Sequence, residues 1–393
     1  MFCIFPKRVR AFRSVRLLSF FIVSLSVPMC IALYHEILLR KSRFQVELRR
    51  LFRYTVAQMT QRQGKSMDKK VRIFGTLGPA CRDRETLTEM FSEGMDGIRL
   101  NLSHTGLREA AGIVQTYQEA ARACGVIPEL LIDMQGPELR IGSLPQPLLL
   151  QEGRQIGIGE IPFPEIVRAH ITDGRELLLD DGKLLLKAEG EKLLVLRGGL
   201  LESRKSVALP GCTIPVPAMT DADRENIRLA SDFGVTAVMQ PFVRSREDLA
   251  AVRGALDEAD CRHIRLLAKI ENRTGLEKLS ELIPCCDEIV IARGDLGNAM
   301  PLWELPAAQK SISSACRGAG RDFMVVTQML DSMTHRPVPT RAEVSDIFNA
   351  VLDGASSVMV TGETAVGEHP AAVIRFLSRT VRAAEAYRDC LPL

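Results

Sequence analysis

The sequence predicts an α/β protein: a (β/α)8, or TIM, barrel of parallel strands carrying a small antiparallel β-barrel lid domain inserted after the third strand. Three observations lead there. From Met67 onward, apolar runs of four to six residues alternate with helical stretches, the pattern of buried parallel strands joined by helices. Eight such runs occur, and the residues that hold them come to roughly the 250 typical of the fold. Between the third and fourth runs the pattern changes to short apolar stretches separated by Gly-bearing turns, as in antiparallel hairpins.

In chain order, residues 71–74 form the first strand, Gly75-Thr76-Leu77-Gly78-Pro79 its loop, and a helix is expected near 84–93. Residues 97–101 are the second strand, followed by a long helix through about Ala123, and 129–133 are the third. Runs at 148–150, 176–179, 184–187 and 193–196 belong to the insertion, with turns at Glu152-Gly153, Asp173-Gly174, Asp181-Gly182 and Gly198-Gly199. Barrel strands resume at 236–239, 265–270, 287–292, 323–327 and 357–361, and a last helix is expected over 372–388. The expected division is 1–66, an N-terminal extension; 67–139, the first barrel part; 140–211, the lid; and 212–393, the second barrel part. An insertion at the carboxyl end of a barrel strand overhangs the face where this fold places its chemistry.

Charge separates the extension from the rest. Residues 1–66 hold 13 Lys/Arg against Glu36 and Glu47, a balance of +11, which leaves −8 for 67–393. That body is mildly acidic and has no basic patch suited to nucleic acid. The ten cysteines show no CxxC pair and no Cys/His metal spacing, as expected of free thiols in a reducing, cytoplasmic compartment. Residues 17–34 are mostly apolar and flanked by arginines on both sides. Three readings stay open: an over-extended start, with Met67 the natural one; a membrane anchor, if residues 1–66 are genuine; or an export signal.

The chemistry points to residues 266–297. Lys269 and Glu271 lie two apart at the end of one apolar run, so on a strand they share a face. The next run, Ile289-Val290-Ile291-Ala292, leads into Arg293-Gly294-Asp295. Charges at strand ends are also often merely solvated, and Arg99 with Asp133 could be a structural ion pair.

Several motifs in order resemble pyruvate kinases over about 67–390. They are Thr76-Leu77-Gly78-Pro79-Ala80, Ile98-Arg99-Leu100-Asn101-Leu102-Ser103-His104 and Asp133-Met134-Gln135-Gly136-Pro137-Glu138-Leu139-Arg140. Ala268-Lys269-Ile270-Glu271-Asn272, Ala292-Arg293-Gly294-Asp295-Leu296-Gly297 and Thr327-Gln328-Met329-Leu330-Asp331-Ser332-Met333 follow, then Pro339-Thr340-Arg341-Ala342-Glu343 and Gly362-Glu363-Thr364-Ala365. The resemblance implies phosphoryl transfer from phosphoenolpyruvate to ADP, giving pyruvate and ATP. It implies Lys269, Arg99, Thr327 and Arg140 as catalytic, and Gly294 and Asp295 with Lys269 and Thr327 on the substrate. Arg99, Asn101, His104, Arg140, Asp181 and Lys205 are implied for the nucleotide. Glu271 and Asp295 would hold Mg2+ (or Mn2+). Asn101, Ser103, Asp133 and the carbonyl of Met134 would hold K+, with Glu138 the mark of K+ dependence. A homodimer is a possible assembly.

Departures from the family pattern are Met134-Gln135 for Thr-Lys, Asn298-Ala299 for an apolar-Glu pair, Pro241 for serine and Glu109 for tyrosine. The sequence ends at Leu393, where the family continues into a domain that binds sugar-phosphate effectors, so no activation by fructose bisphosphate is expected. A relative acting on another enol phosphate, or a non-catalytic scaffold on the same barrel, are the competing readings.

Overall fold

A computed structural model describes residues 71–390, apart from His104, Asp181, Thr213 and Pro215. Eight parallel strands close into a barrel. In the order of their neighbours they are β1 (Arg72–Thr76), β2 (Gly97–Asn101), β3 (Glu129–Asp133), β11 (Val235–Gln240), β12 (Arg265–Ile270), β13 (Glu288–Ala292), β14 (Asp322–Val326) and β15 (Ser357–Met359). Every strand expected for the barrel is present, with ends displaced by at most two residues. The helices between them include α1 (Arg84–Ser92), α2 (Ala111–Ala123), α3 (Asp221–Leu229), α4 (Arg246–Glu258), α5 (Arg273–Glu277), α6 (Arg293–Asn298), α7 (Leu305–Gly318), α8 (Arg341–Leu352) and α9 (Pro370–Cys390).

The helix starts are written locally. Asp83, Thr220, Ser245, Asn272 and Thr340 each accept a backbone N–H of the first turn, and Thr220/Asp223 and Thr340/Glu343 are reciprocal capping boxes. Each such cap stabilises its helix by about 1 kcal/mol.

Strand periodicity of two divides the side chains between two cores. Phe74, Leu131, Ala237, Met239, Leu267, Val290, Met324 and Met359 fill the barrel interior, while the alternating positions pack outward beneath the helices. At the amino end the interior is closed by charge. Arg72 reaches Glu129 at 3.2 Å and Glu288 at 2.8 Å, Arg265 reaches Glu288 at 2.9 Å and also Glu129, and the Ser357 hydroxyl donates to Glu288. This ring leaves the carboxyl end as the open mouth.

Between β3 and α3 lies the insertion. Strands β5 (Gln155–Gly157), β6 (Glu176–Leu179), β7 (Leu184–Glu189), β8 (Lys192–Arg197) and β10 (Val207–Ala208) form one antiparallel sheet in the order β10-β6-β7-β8-β5. β4 (Leu148–Leu150) and β9 (Gly199–Leu201) form a separate ribbon. The antiparallel character is as expected, with the strands shared between two sheets rather than one closed barrel. The insertion has its own core, which includes Leu177, Leu179, Leu186, Leu193 and Val195. Among the described residues no helix is long and apolar enough to cross a membrane. The apolar stretch 17–34 lies outside the described residues, as does the whole 1–66 extension.

Candidate active site

On β12 the alternation that puts Arg265 in the floor and Leu267 in the interior brings Lys269 to the mouth. Its ammonium lies 2.9 Å from Asp133 Oδ2 and 3.2 Å from Oδ1, on β3, two strands away, so the contact crosses the barrel interior. It lies 3.0 Å from Glu271 Oε1, the residue just past the end of β12. Arg99, from β2, closes on Asp133 Oδ2 through Nε at 2.8 Å and Nη2 at 2.7 Å. The suspected Arg99–Asp133 ion pair therefore exists, but as part of a four-residue array and not in isolation.

These groups are deeply placed, the side chains of Lys269, Asp133 and Glu271 being 12%, 2% and 1% exposed. Burial works against the Asp133 carboxylate, but Lys269 and Arg99 outweigh it and hold its pKa below the usual range. Burial likewise opposes the Lys269 ammonium, and Asp133 and Glu271 overcome that penalty, so its pKa is raised. Lys269 is a fixed cation at neutral pH, unsuited to act as a base.

The second carboxylate arm is Glu271. Its Oε2 accepts the Phe242 N–H at 2.8 Å, and it shares with Asp295 the wall of a cleft of about 430 Å³ between barrel and insertion. Pro137, Leu178, Gly182, Phe242 and Asn298 line the same cleft. Asp295 stands in the first turn of α6. Two carboxylates with room for water and ligand oxygens fit a Mg2+ ion, which prefers few protein ligands. Among the described residues no group of three or more His, Cys, Asp or Glu offers a closed metal cage.

Thr327 and Gln328 follow β14 in left-handed backbone, with φ of 80° and 54°. This is a costly conformation for a β-branched residue, and the surroundings enforce it. Arg293 donates to Thr327 O at 2.7 and 3.1 Å and to Gln328 O at 3.3 Å, and is itself held by Asp346 at 2.6 Å. Gly294 leaves room for Thr327, since a Cβ there would lie 3.0 Å from Thr327 Cγ2. Arg293 is a residue that sequence reasoning quoted without assigning it work. Its motif was legible, but the target of its guanidinium 34 residues away was not.

Asn101 and Asp133 are register partners on β2 and β3, the Asn101 side chain accepts the Ser103 N–H at 3.1 Å, and buried Met134 follows directly. Gln135 donates to Leu102 O at 3.1 Å, so a neutral amide fills the place of the family's lysine. The structure does not bring every expected residue to the Lys269 array. Arg140 pairs with Glu138 at 2.7 Å and donates to Arg204 O at 3.0 Å on the stem of the insertion. Lys205 pairs with Asp180 at 3.0 Å and Glu202 at 3.2 Å. His104 and Asp181 lie outside the described residues. Of the departures, Asn298 lines the same cleft as Glu271 and Asp295. It lies against the turn of the insertion at Gly182, where a Cβ would come within 2.6 Å of Asn298 Oδ1.

The family model described as "Pyruvate kinase, barrel domain" matches residues 68–374. A pyruvate kinase of Geobacillus stearothermophilus is 34% identical over 348 residues, covering 83% of this chain and 59% of that protein. Pyruvate kinases of Corynebacterium glutamicum and Mycobacterium intracellulare are 37% and 35% identical, over 81% and 83% of this chain and 70% and 72% of theirs. The chain thus spans under two thirds of the Geobacillus relative.

Proposed function

The chain belongs to the pyruvate kinase family, and on that premise we propose that it transfers the phosphoryl group of phosphoenolpyruvate to ADP, giving pyruvate and ATP. The observation that carries the proposal is the Lys269 ammonium, buried between Asp133 and Glu271 at the barrel mouth with Arg99 beside it. In such a transfer the enol oxygen–phosphorus bond breaks and a terminal oxygen of ADP takes the phosphorus. The enolate left behind takes a proton at its methylene carbon. Negative charge is spread over the equatorial phosphoryl oxygens and the enolate, so preorganised cations carry most of the catalysis.

Lys269 and Arg99 supply those cations from rigid strands. Glu271 and Asp295 would hold Mg2+, which, when bound, neutralises phosphate and enolate oxygens. The N–H groups of Gly294 and Asp295 open α6 toward the substrate carboxylate, and Thr327 holds the group that delivers the proton. Asn101, Ser103, Asp133 and the Met134 carbonyl would take K+, with Glu138 as its companion. Arg140, Lys205, His104 and Asp181 would serve the nucleotide. The eight described cysteines are all free, which supports the cytoplasm as its compartment.

A coupled assay of pyruvate formation tests this on the full chain, with and without Mg2+ and K+. Mg2+-dependent turnover stimulated by K+ is the expected result, and no turnover above a metal-free control would overturn it. Gln135, a neutral group in the place of a cation, favours a second reading in which another enol phosphate is the better substrate. Comparing kcat/KM across enol phosphates decides between them.

A further inference from the structure

The chain crosses between barrel and insertion twice, and both crossings meet one side chain. On the way out it passes through Gln135 and Gly136 after β3, and on the way back through Val216 to Thr220 before α3. Asp223, on the first turn of α3, is fully buried. Its Oδ1 accepts the Gln135 N–H at 2.8 Å, and its Oδ2 accepts the Gly136 N–H at 3.0 Å. The same Oδ2 accepts the Thr220 N–H at 2.9 Å and the Thr220 hydroxyl at 3.0 Å.

Capping of α3 accounts for the Thr220 bonds alone. Those from Gln135 and Gly136 come from residues 88 and 87 positions earlier, and a cap has no need of them. Other contacts confine the crossings further. Gly136 has φ of 61° and sits so close to Pro241 that a Cβ would meet its Cγ at 2.3 Å. Arg244, held by Asp248 at 3.0 Å, donates to Val216 O at 2.8 Å.

We propose that Asp223 is the pivot of the insertion: one buried carboxylate on a barrel helix fixes the two points about which the insertion turns. Asp223 is a positioning residue that sets where Arg140, Lys205 and their neighbours arrive. The carboxylate matters because four donors converge on it, more than an amide can accept. In Asp223→Asn the oxygen can keep the three bonds of Oδ2, but the NH2 then faces the Gln135 N–H, so the outward crossing is released first.

The activity arm of the test rests on the function proposed above, and the structural arm does not. By hydrogen exchange on the full chain, the Asn variant should exchange the Gln135 amide about tenfold faster, as for one lost charge-assisted hydrogen bond. The β12 amides should be unchanged. In turnover, kcat/KM for ADP should fall about tenfold for the same reason. Exchange of pyruvate methyl protons, a partial reaction of the barrel residues, should hold near its wild-type rate. Unchanged protection at Gln135, or equal loss in both reactions, overturns the proposal. A wild-type chain that forms no pyruvate would refute the function and leave hydrogen exchange to judge the pivot. If Asp223→Asn does not fold, Thr220→Val removes the hydroxyl, which both donates to Asp223 Oδ2 and accepts the Asp223 N–H, and leaves the three backbone donors on the carboxylate. A smaller fall in ADP efficiency is then expected, and none at all overturns the pivot.

Discussion

Replacing Lys269 by Met removes the charge and keeps most of the volume. In the wild type the ammonium lies 2.9 Å from Asp133 and 3.0 Å from Glu271. At an effective dielectric constant of about 20, each such pair is worth roughly 5 kcal/mol before desolvation is subtracted. Desolvation of a nearly buried ammonium offsets much of that. Neither carboxylate is then left alone, since Asp133 keeps Arg99 at 2.7 Å and Glu271 keeps the Phe242 N–H at 2.8 Å. The expected loss of stability is therefore about 1–3 kcal/mol, the cost of leaving a buried partner imperfectly satisfied. Turnover should suffer more than stability. Removing one preorganised charge from a transition state that accumulates negative charge lowers kcat by about 10²–10³-fold. Coupled pyruvate formation and a thermal melt on the same preparation read both quantities. A variant with kcat within an order of magnitude of wild type would refute the assignment of Lys269 as the central cation.

Three further outcomes follow from the same geometry. Arg293→Ala frees Thr327 and Gln328 from left-handed backbone, and a shift of about 1 Å there should lower kcat by up to about 10²-fold, more than it changes KM, by steady-state kinetics. Gly136→Ala puts a side chain at φ of 61° and against Pro241, so it should destabilise by at least about 1–2 kcal/mol in denaturant unfolding. In acid, the Asp133 contribution is fully present above the unfolded carboxylate value of about 3.9 and is lost as pH falls through its lower folded value. Lys269, its pKa raised, contributes below about 10.4 and loses that only as pH rises through its higher folded value. Melting temperature against pH should therefore show no step from this pair near neutrality, and Lys269→Met should move the acid limb to higher pH.

Much of the fold could be read from the chain because parallel barrel strands are buried on both faces. Stretches such as 266–268 and 289–292 are then continuously apolar and stand out from the helices between them. The short strands β5, β9 and β10 did not stand out, since two or three residues carry no periodicity and these, unlike the all-leucine β4, hold at most two apolar residues in a row. Within the site, Lys269 and Glu271 were legible as a pair because their spacing fixes a shared face. Arg293 and Asp223 were not, because their partners lie 34 and 88 residues away and only folding brings them near.

By itself the sequence determined the eight strands, the inserted antiparallel unit and the order of charged residues at strand ends, because these follow from local periodicity and spacing. Only the tertiary structure decided which charges meet. The strand order, which sets β12 next but one to β3 in a curved sheet, brings Lys269 to the Asp133 that Arg99 also holds, and the return of the insertion brings Gln135 and Gly136 onto Asp223. Local rules say which way a side chain points along its own strand. What stands opposite depends on how the sheet closes.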